Sequence, residues 1–190
     1  PDYIKEAAKK AIDENHTKYT DYTGSPAFQA AVAAKYEREN GLKFKPSQVI
    51  STHGGAQAAY LVLTTFLNPG DEVIIPNPMY NIYRIIGEIC GATVKEYKLK
   101  EENEFQIDLK EMERLITDKT KMICICNPSN PIGSVLTDEN LEGLGELVKD
   151  KDLIICSDEM YERLTYDGVQ ASSPAKFDTM RDKTIIINGF

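Results

Sequence analysis

The chain has 190 residues, 42% hydrophobic and 27% charged, with a formal net charge of -8. That length and apolar content suffice for one substantial core and exclude wholesale disorder. The acidic balance, with no Lys/Arg cluster, argues against a nucleic-acid partner, and no apolar stretch approaches the roughly 20 residues that span a bilayer.

Pro1-Asp2-Tyr3 opens no signal-peptide pattern, so a cytoplasmic chain without a membrane partner is expected. Ile4, Ala7, Ala8, Ala11 and Ile12 predict a helix after Pro1, whereas residues 15–24 carry turn formers and two tyrosines. Pro26 opens an alanine-rich helix over 27–40 that Gly41 stops. Val49-Ile50 reads as a short strand running into Ser51-Thr52-His53-Gly54-Gly55, followed by a helix over 56–67. Asn68-Pro69-Gly70-Asp71 breaks that helix, and a strand at 72–76 precedes a helix at 79–90.

The alternation continues. Residues 94–99 look extended, and Asp108 caps a helix with Leu109, Met112, Leu115 and Ile116 on one face. An apolar strand follows at 122–126, and Thr137 caps a helix that aligns Leu141, Leu144, Leu147 and Val148. Further strands are expected at 153–156 and 184–187. Continuous apolar strands separated by amphipathic helices give an α/β fold: a mostly parallel sheet with helices on both faces. Ligands of such sheets bind beyond the carboxyl ends of the strands.

Polar motifs stand at those ends. Gly54-Gly55-Ala56-Gln57 joins a strand to a helix start, where free N–H groups can receive a phosphate; a plain tight turn is the alternative. The motif lacks the Gly-Lys-Ser/Thr of a nucleotide P-loop and the third glycine of a dinucleotide fold. Asp158 follows Ile154-Ile155-Cys156-Ser157, a context in which an unpaired carboxylate is expensive, so it requires a cationic or hydrogen-bonding partner. A pyridinium nitrogen is one such partner; capping of the next turn is the other reading. Asn130, between Pro128 and Pro131, and Tyr161 can donate to a phenolate oxygen or serve only as turn residues; the Tyr80 ring can stack on a planar group, although an ordinary core or surface tyrosine is the commoner fate. An amide, a carboxylate and a phenol at neighbouring strand ends point to pyridoxal 5′-phosphate. His16 and His53 are the only histidines, so no Ser/His/Asp or metal constellation assembles. Cys90, Cys124, Cys126 and Cys156 lack zinc spacing and read as buried thiols, with Cys156 nearest the proposed site.

With these motifs in order, the chain resembles the large domain of the class I/II aminotransferases, pyridoxal-phosphate enzymes of the aspartate aminotransferase fold. The resemblance runs through Tyr19-Thr20 to Gly24, Thr52 to Gln57, Asn68 to Val73, Pro76 to Tyr80, Asn127 to Gly133, Ser157 to Glu162 and Asn188-Gly189-Phe190. It implies that the backbone at Gly55, Ala56 and Gln57 holds the cofactor phosphate and that Tyr80 stacks on the ring. Asn130 and Tyr161 bond the ring oxygen, and Asp158 pairs with the ring nitrogen. Tyr19 reaches the phosphate in the neighbouring subunit, so a homodimer is implied. Residues 1–18 form an N-terminal helix and linker, and 19–190 the cofactor-binding large domain, incomplete at its C-terminus.

Departures from the family pattern are Asp21 for a proline, Ile132 for a threonine and Met160 for an isoleucine. The family's Schiff-base lysine is expected just beyond Phe190, so no catalytic residue is assigned within the chain. The expectation is a piece of a longer aminotransferase that moves an amino group from an amino acid to a 2-oxo acid, inactive as these residues alone. Carbon–sulfur cleavage or another elimination on the same contacts is one alternative. A non-catalytic ligand-sensing module of a regulator is the other.

Overall fold

The computed structural model describes residues 1–189; Phe190, the last residue of the Asn-Gly-Phe motif, lies outside the described residues. In chain order the elements are α1 (Asp2–Asp13), α2 (Pro26–Asn40), α3 (Gly55–Phe66), β1 (Glu72–Asn77), α4 (Ile82–Ile89), β2 (Thr93–Lys98), α5 (Leu109–Leu115), β3 (Thr120–Cys126), α6 (Asp138–Val148), β4 (Ile154–Asp158), α7 (Asp178–Arg181) and β5 (Thr184–Ile187). The strands form one sheet in the order β2-β1-β3-β4-β5, and every neighbouring pair is parallel. This is the expected α/β architecture.

Strand alternation divides the core. Val73, Ile75, Met122, Cys124 and Cys156 face Ala59 and Leu63 of α3 and Tyr83 and Ile86 of α4. Ile74, Ile123, Ile125 and Ile155 face the opposite way, against Met112 of α5, Leu141, Leu144 and Val148 of α6, and Met180 of α7. Each such side chain is worth about 1.5–3 kcal/mol on full burial, so the two apolar layers, rather than strand propensity, hold these short strands. A smaller cluster packs Tyr36 of α2 and Leu42 on Ala175.

The expected caps form. Asp108 Oδ1 accepts from Lys110 N and Glu111 N at 3.0 and 3.1 Å, and Thr137 Oγ1 accepts from Asn140 N at 3.1 Å. Two expectations are corrected. Val49-Ile50 forms no strand; a short turn of helix at Pro46–Gln48 leads into it, and the Val49 carbonyl accepts from the Gln29 side chain instead of a neighbouring strand. The helix placed at 79–90 begins only at Ile82, because Pro78 and the turn after it take up the first residues.

Lys183 supplies a cap that sequence periodicity does not show. Its ammonium donates to the carbonyls of Val148, Lys149 and Lys151 at 2.8, 3.0 and 2.8 Å, where the α6 carbonyls run out of helical partners. Lys183→Met is expected to lower stability by about 2 kcal/mol, measured by urea unfolding; an unchanged midpoint would show that water replaces the ammonium.

Candidate active site

Parallel register brings the strand ends level. Cys126 pairs with Asp158, and Asp158 with Ile187, so the polar segments after β3, β4 and β5 leave the sheet side by side. Asn127 N donates to the Asp158 carbonyl at 2.9 Å, and Glu159 N to the Ile187 carbonyl at 2.8 Å, extending the ladder one step past the strands.

Asp158 has the partners that its apolar context demands. Its Oδ2 accepts from the Tyr83 hydroxyl at 2.7 Å, and its Oδ1 from Met160 N at 3.2 Å. Tyr83 is buried, and burial, then the neighbouring Cys156 and Asp158, push its phenol far above the ordinary tyrosine range. It therefore stays protonated and donates. Sequence reasoning missed Tyr83, since an aromatic residue on the apolar face of α4 reads as plain core; its spacing of three residues from Tyr80 is the only hint.

Asn130 Nδ2 lies 3.5 Å from the Tyr161 hydroxyl, which joins the amide and the phenol on one side of the strand ends. The Asn130 loop is built from below. Asn127 is buried; its amide donates to the Ser172 carbonyl at 3.0 Å and its oxygen accepts from Leu136 N at 2.9 Å. Cys126 Sγ accepts from Asn130 N at 3.3 Å, and burial, reinforced by Asp158, pushes that thiol up to about 12. The thiol therefore remains neutral and structural. Cys156, expected nearest the site, is fully buried against Cys124 on the adjacent strand.

Gly54 precedes α3 with φ 85° and ψ 168°, a conformation open to glycine. The first helical bond is Ala58 N to the Gly54 carbonyl, so the N–H groups of Gly55, Ala56 and Gln57 have no carbonyl ahead of them in the helix. The Gln57 side chain accepts from His53 N at 2.6 Å and closes the loop. Met160 ties this helix start to the strand ends: a Cβ on Gly55 would stand 3.0 Å from Met160 Cε, and one on Gly189 would stand 2.7 Å from Met160 Sδ. Three loops thus meet at one methionine.

Tyr80 and Tyr19 are both exposed. Tyr80 is 56% exposed and lines a cavity of about 220 Å³ with Pro76 and Asn77 of β1, Arg84 of α4 and Glu96 of β2. Tyr19 is fully exposed, and among the described residues no hydrogen bond joins it to the other candidates. Nearby, Asp21 accepts from the Thr23 N–H and hydroxyl at 3.1 and 3.0 Å, so a side-chain-closed turn stands where proline is usual. Among the described residues no group of His, Cys, Asp and Glu could hold a metal.

A family model described as "Aminotransferase class I and II" matches residues 1–190. The chain belongs to that family, whose members depend on pyridoxal phosphate. It is 40% identical to aromatic-amino-acid aminotransferase 2 of Thermococcus litoralis and 39% identical to aspartate aminotransferase of Bacillus subtilis, covering all of this chain and 49% and 48% of theirs. The solved aspartate aminotransferase of Thermus thermophilus with maleate superposes with a TM-score of 0.94 at 37% identity over the whole chain and 49% of that structure. The chain therefore spans about half the length of these relatives.

The donor set suits the cofactor's chemistry. A carboxylate already held by two donors, an amide and phenol pair, and a glycine-led helix start match a basic ring nitrogen, a phenolic oxygen and a phosphate. Removing the Tyr83 hydroxyl leaves a partly buried carboxylate oxygen short of its donor. Tyr83→Phe is expected to cost about 2 kcal/mol in chemical denaturation; full stability in that variant would show that the bond holds nothing.

Proposed function

We propose that the whole protein is a pyridoxal-phosphate-dependent aminotransferase that moves an amino group from an amino acid to a 2-oxo acid. The observation that carries this reading is the Asp158 carboxylate, fixed by Tyr83 and Met160 at the end of β4, level with Cys126 at the end of β3, whose following loop carries the Asn130 that meets Tyr161.

Within that reading, Gly55, Ala56 and Gln57 receive the phosphate through their N–H groups, and Tyr80 covers one face of the ring. Asp158 holds a proton on the ring nitrogen, while Asn130 and Tyr161 donate to the ring oxygen. The bound cofactor supplies an electron-accepting ring. Tyr83 keeps the Asp158 carboxylate facing the ring, and the buried Cys126 thiol holds the Asn130 backbone without adding charge. Residues 19–190 constitute the cofactor-binding domain, and the lysine that anchors the cofactor belongs to sequence after Phe190 in this proposal.

Residues 1–18 act as an arm. The helix α1 buries no residue, and Tyr3, Ile4 and Ile12 on it are exposed, as is Tyr19 just after it. A second copy covering that surface would form the homodimer in which Tyr19 reaches the other subunit's phosphate. The four cysteines are free, which suits a cytoplasmic setting, and no helix among the described residues is long and apolar enough to cross a membrane.

Amino-group transfer by the purified whole protein, followed by the amino acid formed from each 2-oxo acid, tests the activity. Asp158→Asn is expected to weaken pyridoxal phosphate binding about tenfold to a hundredfold, the loss of one charge-assisted bond; equal affinity in titrations would remove Asp158 from the site. Formation of ammonia and a 2-oxo acid with no amino acid product would replace transfer by elimination.

A further inference from the structure

Glu159 follows Asp158 but faces the other side of the sheet, and it is buried at 2% exposure. Its Oε1 accepts from the hydroxyls of Ser157 and Ser173 at 2.9 and 2.6 Å. Ser173 lies at the far end of an excursion that leaves the sheet at Glu159 and carries Tyr161, so the contact closes that loop at its base. Ser173 also caps the turn at Pro174–Lys176, which fixes the hydroxyl that Glu159 holds.

The outer part of the loop is held by α2. Glu162 pairs with Lys35 and accepts from Asn40 Nδ2 at 3.3 Å, and Arg163 pairs with Glu39. The Tyr36 hydroxyl of α2 accepts from Asn188 Nδ2 at 3.0 Å beyond β5. The charged and titratable groups acting on Glu159 are Lys35 and Tyr36 from α2 and Glu162 from the loop, with Asp158 its neighbour in the chain. Lys35 and Arg163 are each paired to another carboxylate, so ionised Glu159 has two hydroxyls but no cation of its own.

We propose that Glu159 is a positioning residue for Tyr161: its carboxyl, held by the Ser157 and Ser173 hydroxyls, pins the 159–173 loop shut at its base. The proposal rests on Tyr161 as a cofactor contact, and its test separates the two.

Burial pushes Glu159 up to about 7, with the Ser173 and Ser157 hydroxyls pulling the other way. The folded chain therefore binds this proton more tightly than the unfolded chain does. The stabilisation is complete below the ordinary glutamate range, declines as pH rises, and is gone above about 7. Opening the loop to hydrate the carboxylate is the local way to relieve a buried charge.

The test combines amide hydrogen exchange, corrected for its intrinsic pH dependence, with pyridoxal phosphate titration at pH 6 and pH 8. The Glu162 and Leu164 amides report the loop directly, because they donate to the Glu159 and Tyr161 carbonyls at 3.1 and 2.8 Å. In the parent protein both amides lose protection at pH 8 and pyridoxal phosphate affinity falls with them. Glu159→Gln keeps the shape and an acceptor for Ser173 but does not titrate, so its protection and its affinity ratio between the two pH values are flat relative to the parent. Ser173→Ala removes the hydroxyl that Glu159 holds while leaving the carboxyl itself in place, and is expected to lower protection at pH 6 as well. Parallel pH profiles in the parent and Glu159→Gln would overturn the proposal, as would undiminished protection in Ser173→Ala. A protection step that depends on Glu159, without any pyridoxal phosphate binding, would uphold the latch and overturn the cofactor reading of Tyr161.

Discussion

The register of β4 between β3 and β5 is the constraint on which the site depends. Side chains alternate along a strand, so a slip of one residue would exchange the directions of Asp158 and Glu159. In the observed register Cys126, Asp158 and Ile187 are level, Asp158 meets Tyr83 of α4, and Glu159 meets Ser157 and Ser173 on the opposite side. Two adjacent carboxylates thereby receive two different environments. One is half-buried at the strand ends and held by a phenol and a backbone N–H, while the other is enclosed and near neutrality in its proton affinity. The apolar layers enforce that outcome, because slipping β4 would turn Ile155 and Cys156 out of the clusters they fill.

The loops after the strands are braced from behind. Asn127 braces the Asn130 loop against Ser172 and Leu136, and Met160 packs where side chains on Gly55 and Gly189 would collide with it. Glu72 does similar work at the opposite end of the sheet: Lys95 and Thr117 donate to its Oε2 at 2.6 Å each. Burial there opposes ionisation, but these partners prevail and hold the carboxyl below its usual range. Such preorganisation lowers the ordering cost at binding, which otherwise consumes much of the interaction energy.

Much of the fold was legible because its signals are local. Asp108 and Thr137 mark helix starts by their own side chains, and continuous apolar runs mark strands buried on both faces. Val49-Ile50 was not legible, because pairing depends on a neighbouring strand and two β-branched residues say nothing about one. The Asp158 context showed that it needed a partner, but the partner lies 75 residues away on α4 in a position that reads as core. Glu159 was hidden likewise: alternation gives its direction, whereas its enclosure depends on Ser173, 14 residues on and past an irregular loop. Tyr19 was named by resemblance alone and Tyr80 by its place after a strand as well, and this chain leaves both exposed.

The claim at the centre of this account is that Asp158, held by Tyr83 and Met160, keeps a proton on the ring nitrogen of pyridoxal phosphate. The direct measurement is the ¹⁵N chemical shift of ring-labelled pyridoxal phosphate bound to the protein at a pH where the free ring nitrogen has lost its proton. A shift characteristic of a protonated pyridinium is the predicted result. A bound cofactor whose ring nitrogen remains unprotonated would contradict the account, because the carboxylate would then be paired with something else.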